Sequence, residues 1–159
     1  MRSAVQGLIE ELGLEPHPEG GYFRETHRSS IRVQTGSATR SALTSILFLL
    51  SGEMFSAFHR LASDEIWHHY HGAPVAIEVI DGDGQHRQEV IGKGNQCQAV
   101  IEAGSWFAAH VCDENGYALM GCDVAPGFAF EDFELASRED LLAAFPEHAS
   151  LIERWTRPT

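Results

Sequence analysis

The stretch FSAFHRLASDEIWHHYHGAPVAIEVI, residues 55–80, decides the fold. It reads as three short strands, Phe55–Leu61, Ile66–Tyr70 and Val75–Ile80, separated by Ala62–Asp64 and Gly72–Pro74. The first and third are runs of apolar and β-branched residues too short for a helix, and Ser, Asp, Gly and Pro punctuate them. The pattern extends in both directions. Upstream, Tyr22–His27 and Ala42–Leu50 read as strands; downstream, so do Gln88–Ile91, Cys97–Ile101, Trp106–His110 and Tyr117–Val124. The breaks are Ser51-Gly52, Asp81–Gly84, Gly92–Asn95, Ala103–Ser105 and Asp113–Gly116, and Gly36 is a further turn glycine. No helix-length periodic segment lies between Tyr22 and Val124, which excludes a βαβ alternation. The fold class is therefore mainly β, a sandwich or barrel whose sheet edges a jelly roll would manage.

Helices belong to the two ends. Ser3 and Gln6 form a capping-box pattern ahead of Val5, Leu8, Ile9 and Leu12, and Gly13 ends that run. Pro16, Pro18, Gly20 and Gly21 then force an extended, turning segment. Ser137 with Asp140 caps a second run, which Pro146 stops, and a last short helix is expected over His148–Trp155. No linker, internal repeat or low-complexity tract divides the 159 residues, so one domain is expected over 1–159. Its helices fall at about 3–13 and about 137–156, with the β-barrel at about 22–135.

Composition narrows the function classes. Hydrophobic residues make up 43% and charged residues 21%, enough for a real core. The formal charge of -12 argues against a phosphate backbone or an anionic lipid surface as partner, because both need clustered Lys and Arg. Cys97, Cys112 and Cys122 are an odd number without a CxxC pair, which fits free thiols in a reducing compartment. The longest apolar run, Ile46–Leu50, is far short of the ~20 residues a membrane span needs, and no signal-peptide pattern opens the sequence. The cytoplasm is the expected location.

Nine histidines are unevenly placed: His59, His68, His69 and His71 fall close together with Asp64 and Glu65. Side chains alternate faces along a strand, so Glu65, Trp67 and His69 share one face and Ile66, His68 and Tyr70 the other. A His and a Glu from neighbouring strands can meet in one cavity. Such a pair supports metal ligation, or general acid–base chemistry if burial brings the pKa values toward neutrality. The cluster is also compatible with a solvated strand end and no site at all, a reading ranked below the acid–base pocket and above the metal site.

The spacing His59-Arg60-Leu61-(three residues)-Glu65-(six residues)-Gly72 overlays the first cupin motif, with Leu61 where a second His is usual. The second motif falls on Glu102–Phe107, where Gly104 matches and Phe107 takes the His position. Two of the four usual metal positions are thus apolar, and His68, His69 or His110 are the candidates to substitute. More specifically, the chain resembles the Cupin_5 group, a domain of unknown function. The resemblance rests on His17–Thr26 (HPEGGYFRET), Thr44–Leu50, Phe58-His59-Arg60, Ser63–His68, Gly104–Phe107 and Val124–Glu134. It implies a cupin-type double-stranded β-helix or jelly-roll barrel, a homodimer, and a pocket in each barrel.

Carried over by position, the resemblance marks Tyr22, Arg24, His59, Glu65, His68, Trp106 and Glu131 as pocket residues. Arg24 would fork an anionic ligand or pair with Glu25, and Trp67 and Trp106 would stack on a ligand or fill the barrel. Phe128, Phe130 and Phe133 belong to an acidic, aromatic segment that packs on the barrel or covers the pocket mouth. The leading functional expectation is a small polar or anionic metabolite bound in the barrel by a metal-independent isomerase or epimerase. There His59 or His68 would be the base and Glu65 its partner. A non-catalytic metabolite sensor and a metal-dependent oxygenase or dehydratase, with a divalent ion on His59, Glu65 and one substituted His, are the alternatives.

Overall fold

The computed structural model describes residues 3–158. In chain order its strands are β1 (Glu15–Pro16), β2 (Tyr22–Arg28), β3 (Arg32–Thr35), β4 (Ala38–Ser41), β5 (Thr44–Ser51), β6 (Phe55–Arg60), β7 (Asp64–Gly72), β8 (Val75–Ile80), β9 (His86–Ile91), β10 (Gln98–Ile101), β11 (Trp106–Val111), β12 (Tyr117–Ala125) and β13 (Glu134–Leu135). The helices are α1 (Ala4–Leu12), α2 (Arg138–Ala144) and α3 (Ala149–Trp155). Six strands form one antiparallel sheet in the order β1-β2-β5-β12-β7-β10, and five form a second in the order β13-β6-β11-β8-β9. This is the mainly β jelly roll with short terminal helices that the strand spacing implies.

The core lies between the sheets. Phe48 and Leu50 of β5, Trp67 of β7, Met120 and Cys122 of β12 meet Val75, Ile77 and Val79 of β8 and Phe107 and Ala109 of β11. Alternation explains the arrangement: every second residue of each strand faces the opposing sheet. On β8 all six residues are buried, because α2 and α3 cover the outer face of the five-stranded sheet. There Phe58, Ile80 and Ala108 pack with Leu141, Ile152, Phe145 and Trp155. Glu78 is tolerated on that face because His86 Nε2 and Gln88 Nε2 stand 2.7 and 2.6 Å from its carboxylate, and His110 Nε2 at 3.2 Å. Burial alone would raise this carboxyl, but the bonds from His110, Gln88 and His86 hold it at about 2.

Each sequence-predicted strand is present within a few residues of its expected ends. The hairpin β3–β4, turning at Gly36, is additional, as are the two-residue edge strands β1 and β13. The expected helix caps also form: Ser3 Oγ accepts from Gln6 N at 3.1 Å, and Ser137 Oγ accepts from Asp140 N at 3.3 Å. In β7, His69 and His71 pair with consecutive residues Met120 and Leu119, leaving Tyr70 as the extra residue of a bulge. Gly121 lies beneath that bulge, where a Cβ would fall 2.3 Å from Tyr70 Oη.

The segment 17–21, between β1 and β2, is folded back onto β6. His17 N donates to Gly21 O, Gly20 N to His17 O, and Ala57 N to Glu19 O. Gly20 has φ 114°, and a Cβ there would sit 2.1 Å from the Phe55 carbonyl oxygen. Only glycine meets both demands. Gly20→Ala is therefore expected to destabilise the fold by roughly 3 kcal/mol in urea denaturation. Gly7→Ala, in α1 with nothing near the added carbon, should stabilise by about 0.5–1 kcal/mol. Equal effects of the two substitutions would contradict the close approach at Gly20.

Candidate functional site

The folding back of residues 17–21 delivers a second acid to His59. Glu19 Oε2 lies 2.7 Å from His59 Nε2, and both side chains are almost wholly buried. The other ring nitrogen, Nδ1, is 2.7 Å from the Ala57 carbonyl oxygen. A carbonyl only accepts, so Nδ1 carries a hydrogen and His59 is fixed in orientation. Its ring packs on Phe107 with centroids 4.1 Å apart. Burial by itself would lower the His59 pKa; the charge and hydrogen bond of Glu19, with the Glu65 charge, outweigh it and raise it. Burial likewise pushes Glu19 up, but the charge and hydrogen bond of His59 hold it below the ordinary carboxylate value. The result is an imidazolium–carboxylate pair.

His17 completes this end. Its Nδ1 accepts from the Glu19 backbone N–H at 3.2 Å, so no proton on that nitrogen faces the Glu19 carboxylate 3.8 Å away. Burial lowers the His17 pKa, and the Glu19 charge only partly offsets it. His17 is therefore the neutral member of the group.

Glu65, near the start of β7, faces inward between Val124 of β12 and Ile101 of β10. It is 93% buried, being 7% exposed. Its carboxyl is pushed up to about 8, first by burial and next by the Glu19 charge, with partial relief from His59 and the nearby Trp67 indole. That indole N–H is buried without a well-formed hydrogen bond. At neutral pH Glu65 is an acid with a proton to give.

These groups line a cavity of about 260 Å³. Phe23, Ile46, Phe48, Leu61, Val124, Phe128 and Phe133 supply its apolar wall, with Cys122 and Thr44, and Glu15, Glu25, Arg28 and Phe130 mark its exposed mouth. A bulge in β2 between Glu25 and His27 puts Phe23, Glu25 and Arg28 on one side. Arg28 is engaged: Nη2 lies 2.6 Å from Glu25 Oε1, and Nη1 donates to Phe128 O at 3.0 Å.

Of the residues expected at a pocket, His59 and Glu65 face this cavity and five do not. His68 lies on the outer face, its Nε2 2.9 Å from Asp123 and its Nδ1 3.0 Å from Gln98. Alternation runs unbroken from Glu65 to His69, and the bulge comes only at Tyr70, too late to turn His68 inward. His69 shares the Glu65 face, but its Nε2 is taken by Ala73 O at 2.8 Å. Tyr22 and Arg24 alternate with Phe23 and Glu25 and so point away. Trp106 packs outside the five-stranded sheet, with the Arg60 guanidinium 4.4 Å over its ring. Glu131 is exposed on a 3-10 turn beside Asp132, which binds Arg40. Phe128, Phe130 and Phe133 of the same segment do line the cavity.

The cupin fold raises the question of a metal, and the donors present do not fit one. The four motif positions are His59, Leu61, Glu65 and Phe107, and both nitrogens of His59 are engaged by Glu19 and Ala57. Among the described residues no group of three His, Cys, Asp or Glu side chains is arranged to hold an ion. Neither His68, His69 nor His110 reaches the cavity wall.

Comparison with known proteins agrees with this architecture. An uncharacterized protein of Saccharomyces cerevisiae, YML079W, is 30% identical over 88% of this chain and 79% of its own. A hypothetical protein from Leishmania major superposes with TM-score 0.90 at 33% identity, covering 97% of this chain and 99% of that one. Protein SO0799 from Shewanella oneidensis does so with TM-score 0.90 at 36% identity across the full length of both. Oxalate decarboxylase from Bacillus subtilis shares the fold only, with TM-score 0.58 at 16% identity over 91% of this chain and 37% of that one. Residues 6–136 match the model of Cupin_5, described as "Cupin superfamily (DUF985)", and the chain belongs to that family.

Proposed function

We propose that the chain binds a small metabolite inside the barrel and exchanges a proton with it at Glu65, as a metal-independent isomerase or epimerase would. One observation carries the reading: a buried carboxyl with a pKa of about 8 on the wall of a solvent-reachable cavity. A proton-transfer group works best when its pKa lies near the working pH, and Glu65 exchanges its proton close to neutrality. His59 is a positioning residue here. With Nδ1 committed to Ala57 O and Nε2 to Glu19, it has no free lone pair for a substrate. The ionised fraction of Glu65 takes the proton that leaves carbon next to a carbonyl and returns it as the acid, while the charge of His59 stays matched by Glu19. Phe128 and Phe133 line the cavity around that position.

The test is proton exchange itself. In D2O, NMR of small α-hydroxy and α-amino carbonyl compounds should show C–H to C–D exchange in at least one of them. Glu65→Gln should slow that exchange at least roughly 100-fold. Compounds that bind with no exchange would make the barrel a binding module and end the catalytic reading.

The same carboxyl leaves a signature in stability. Glu65 has its pKa raised from 4.5 to about 8, so its contribution is whole below pH 4.5 and is lost as pH rises through about 8. His59, also raised, contributes fully below 6.5 and loses this at higher pH. Glu19, lowered, contributes above 4.5 and loses this in acid. Thermal unfolding should accordingly be most resistant near about pH 5 and weaken from there toward about pH 8. Glu65→Gln should gain on the wild type as pH rises from 5 to 8, by on the order of 3 kcal/mol. Parallel curves for the two proteins would contradict a neutral Glu65.

A further inference from the structure

The charges lining the cavity say what kind of molecule it takes. Four carboxyls line it, those of Glu15, Glu19, Glu25 and Glu65, against the cations of Arg28 and His59. The two cations are already matched: His59 by Glu19 at 2.7 Å, Arg28 by Glu25 at 2.6 Å. An anionic ligand, the class expected from Arg24, meets no free cation, because Arg24 faces outward. Among the described residues Glu15 forms no ion pair, and Glu65 is nine-tenths buried with no well-formed hydrogen bond to any side chain. Between these acids stand the rings of Phe23, Phe48, Phe128 and Phe133. Aromatic faces attract cations, and more strongly where water is excluded. The chain's formal charge of -12 draws the same ligands toward the mouth.

We propose that the barrel cavity takes a small organic amine in its protonated form, the ammonium at Glu65 and the apolar body against the phenylalanine rings. This rests on the cavity reading given above and adds the substrate class to it. A cation beside Glu65 favours the carboxylate, so binding moves its proton to solvent and leaves a base at the site. The groups facing Glu65 are Glu19 and His59, with Cys122 on β12; Asp123 of that strand points to the outer face, where it pairs with His68, and acts on Glu65 only through its charge. None of them supplies a free positive charge, so the ligand has to bring it. The carboxylic acid of the resting protein becomes the carboxylate of the complex.

Three probes of one shape, benzylammonium, benzyl alcohol and benzoate, test this by titration calorimetry at pH 7 in two buffers of different ionisation heat. Benzylammonium should bind at least tenfold tighter than benzyl alcohol, and benzoate more weakly than either. The buffer dependence should correspond to about one proton released per ammonium bound. In Glu65→Gln the preference for ammonium over alcohol should fall below roughly threefold and the proton release vanish. Equal or tighter binding of benzyl alcohol or benzoate overturns the proposal while leaving the pocket itself standing. No binding by any of the three overturns it as well, and ammonium binding without proton release overturns the placement at Glu65. An ammonium preference without carbon–deuterium exchange in any compound would instead remove the catalytic reading and keep this one.

Discussion

The buried ion pair between Glu19 and His59 ties together parts of the chain that are far apart in sequence. Glu19 reaches His59 only because residues 17–21 fold back onto β6, and that path needs a glycine at 20. The same segment is anchored again by Arg157, whose Nη1 donates to Glu19 O at 2.9 Å. The N-terminal approach, β6 and Arg157 near the C-terminus therefore converge on one residue, Glu19, with His59 at its carboxylate and Ala57 and Arg157 at its backbone carbonyl. Removing either member of such a pair leaves a bare charge in an apolar interior, which is far costlier than an exposed pair would suggest. The pair also sets the state of its neighbour: the Glu19 charge is what, after burial, most raises the pKa of Glu65.

Much of the architecture was legible because strand spacing and turn residues are local signals. The run Val75–Ile80 is apolar and β-branched between Pro74 and Asp81, and it is a fully buried strand. The hairpin β3–β4 was not legible, since Arg32-Val33-Gln34-Thr35 and Ala38-Thr39-Arg40-Ser41 are four residues each and hold one large apolar residue, Val33, between them. This hairpin is only half-buried along Val33, Thr35, Ala38 and Arg40 and joins neither hydrophobic cluster, so little core patterns it. Edge strands of two residues carry even less signal.

The site divides in the same way. His59 and Glu65 lie on consecutive strands, and their spacing suffices to bring them to one cavity. His68 turned on whether a bulge falls before or after it, which depends on the pairing with β12 rather than on β7 itself. Tyr22 and Arg24 were one residue out of phase with the inward face that Phe23 and Glu25 occupy. Glu19 and His17 were visible only as part of a proline- and glycine-rich segment. Their meeting with His59 is a tertiary event, 40 residues apart in sequence for Glu19, and no periodicity encodes it.

Replacing two imidazole positions by Leu61 and Phe107 changes more than the donor count. In a metal-binding barrel the motif Glu is held ionised by the ion's charge, and the motif His offers a lone pair. Here Phe107 packs on His59 instead, and the His answers to a carboxylate from outside the motif. Glu19 neutralises the imidazolium and at the same time repels a charge on Glu65. Two acids and one imidazole in an apolar chamber settle with one acid ionised and the other protonated, because a second uncompensated negative charge would cost too much at that depth. With apolar Leu61 and Phe107 at two of the four motif positions, the chamber holds a protonated Glu65 beside the ionised Glu19–His59 pair.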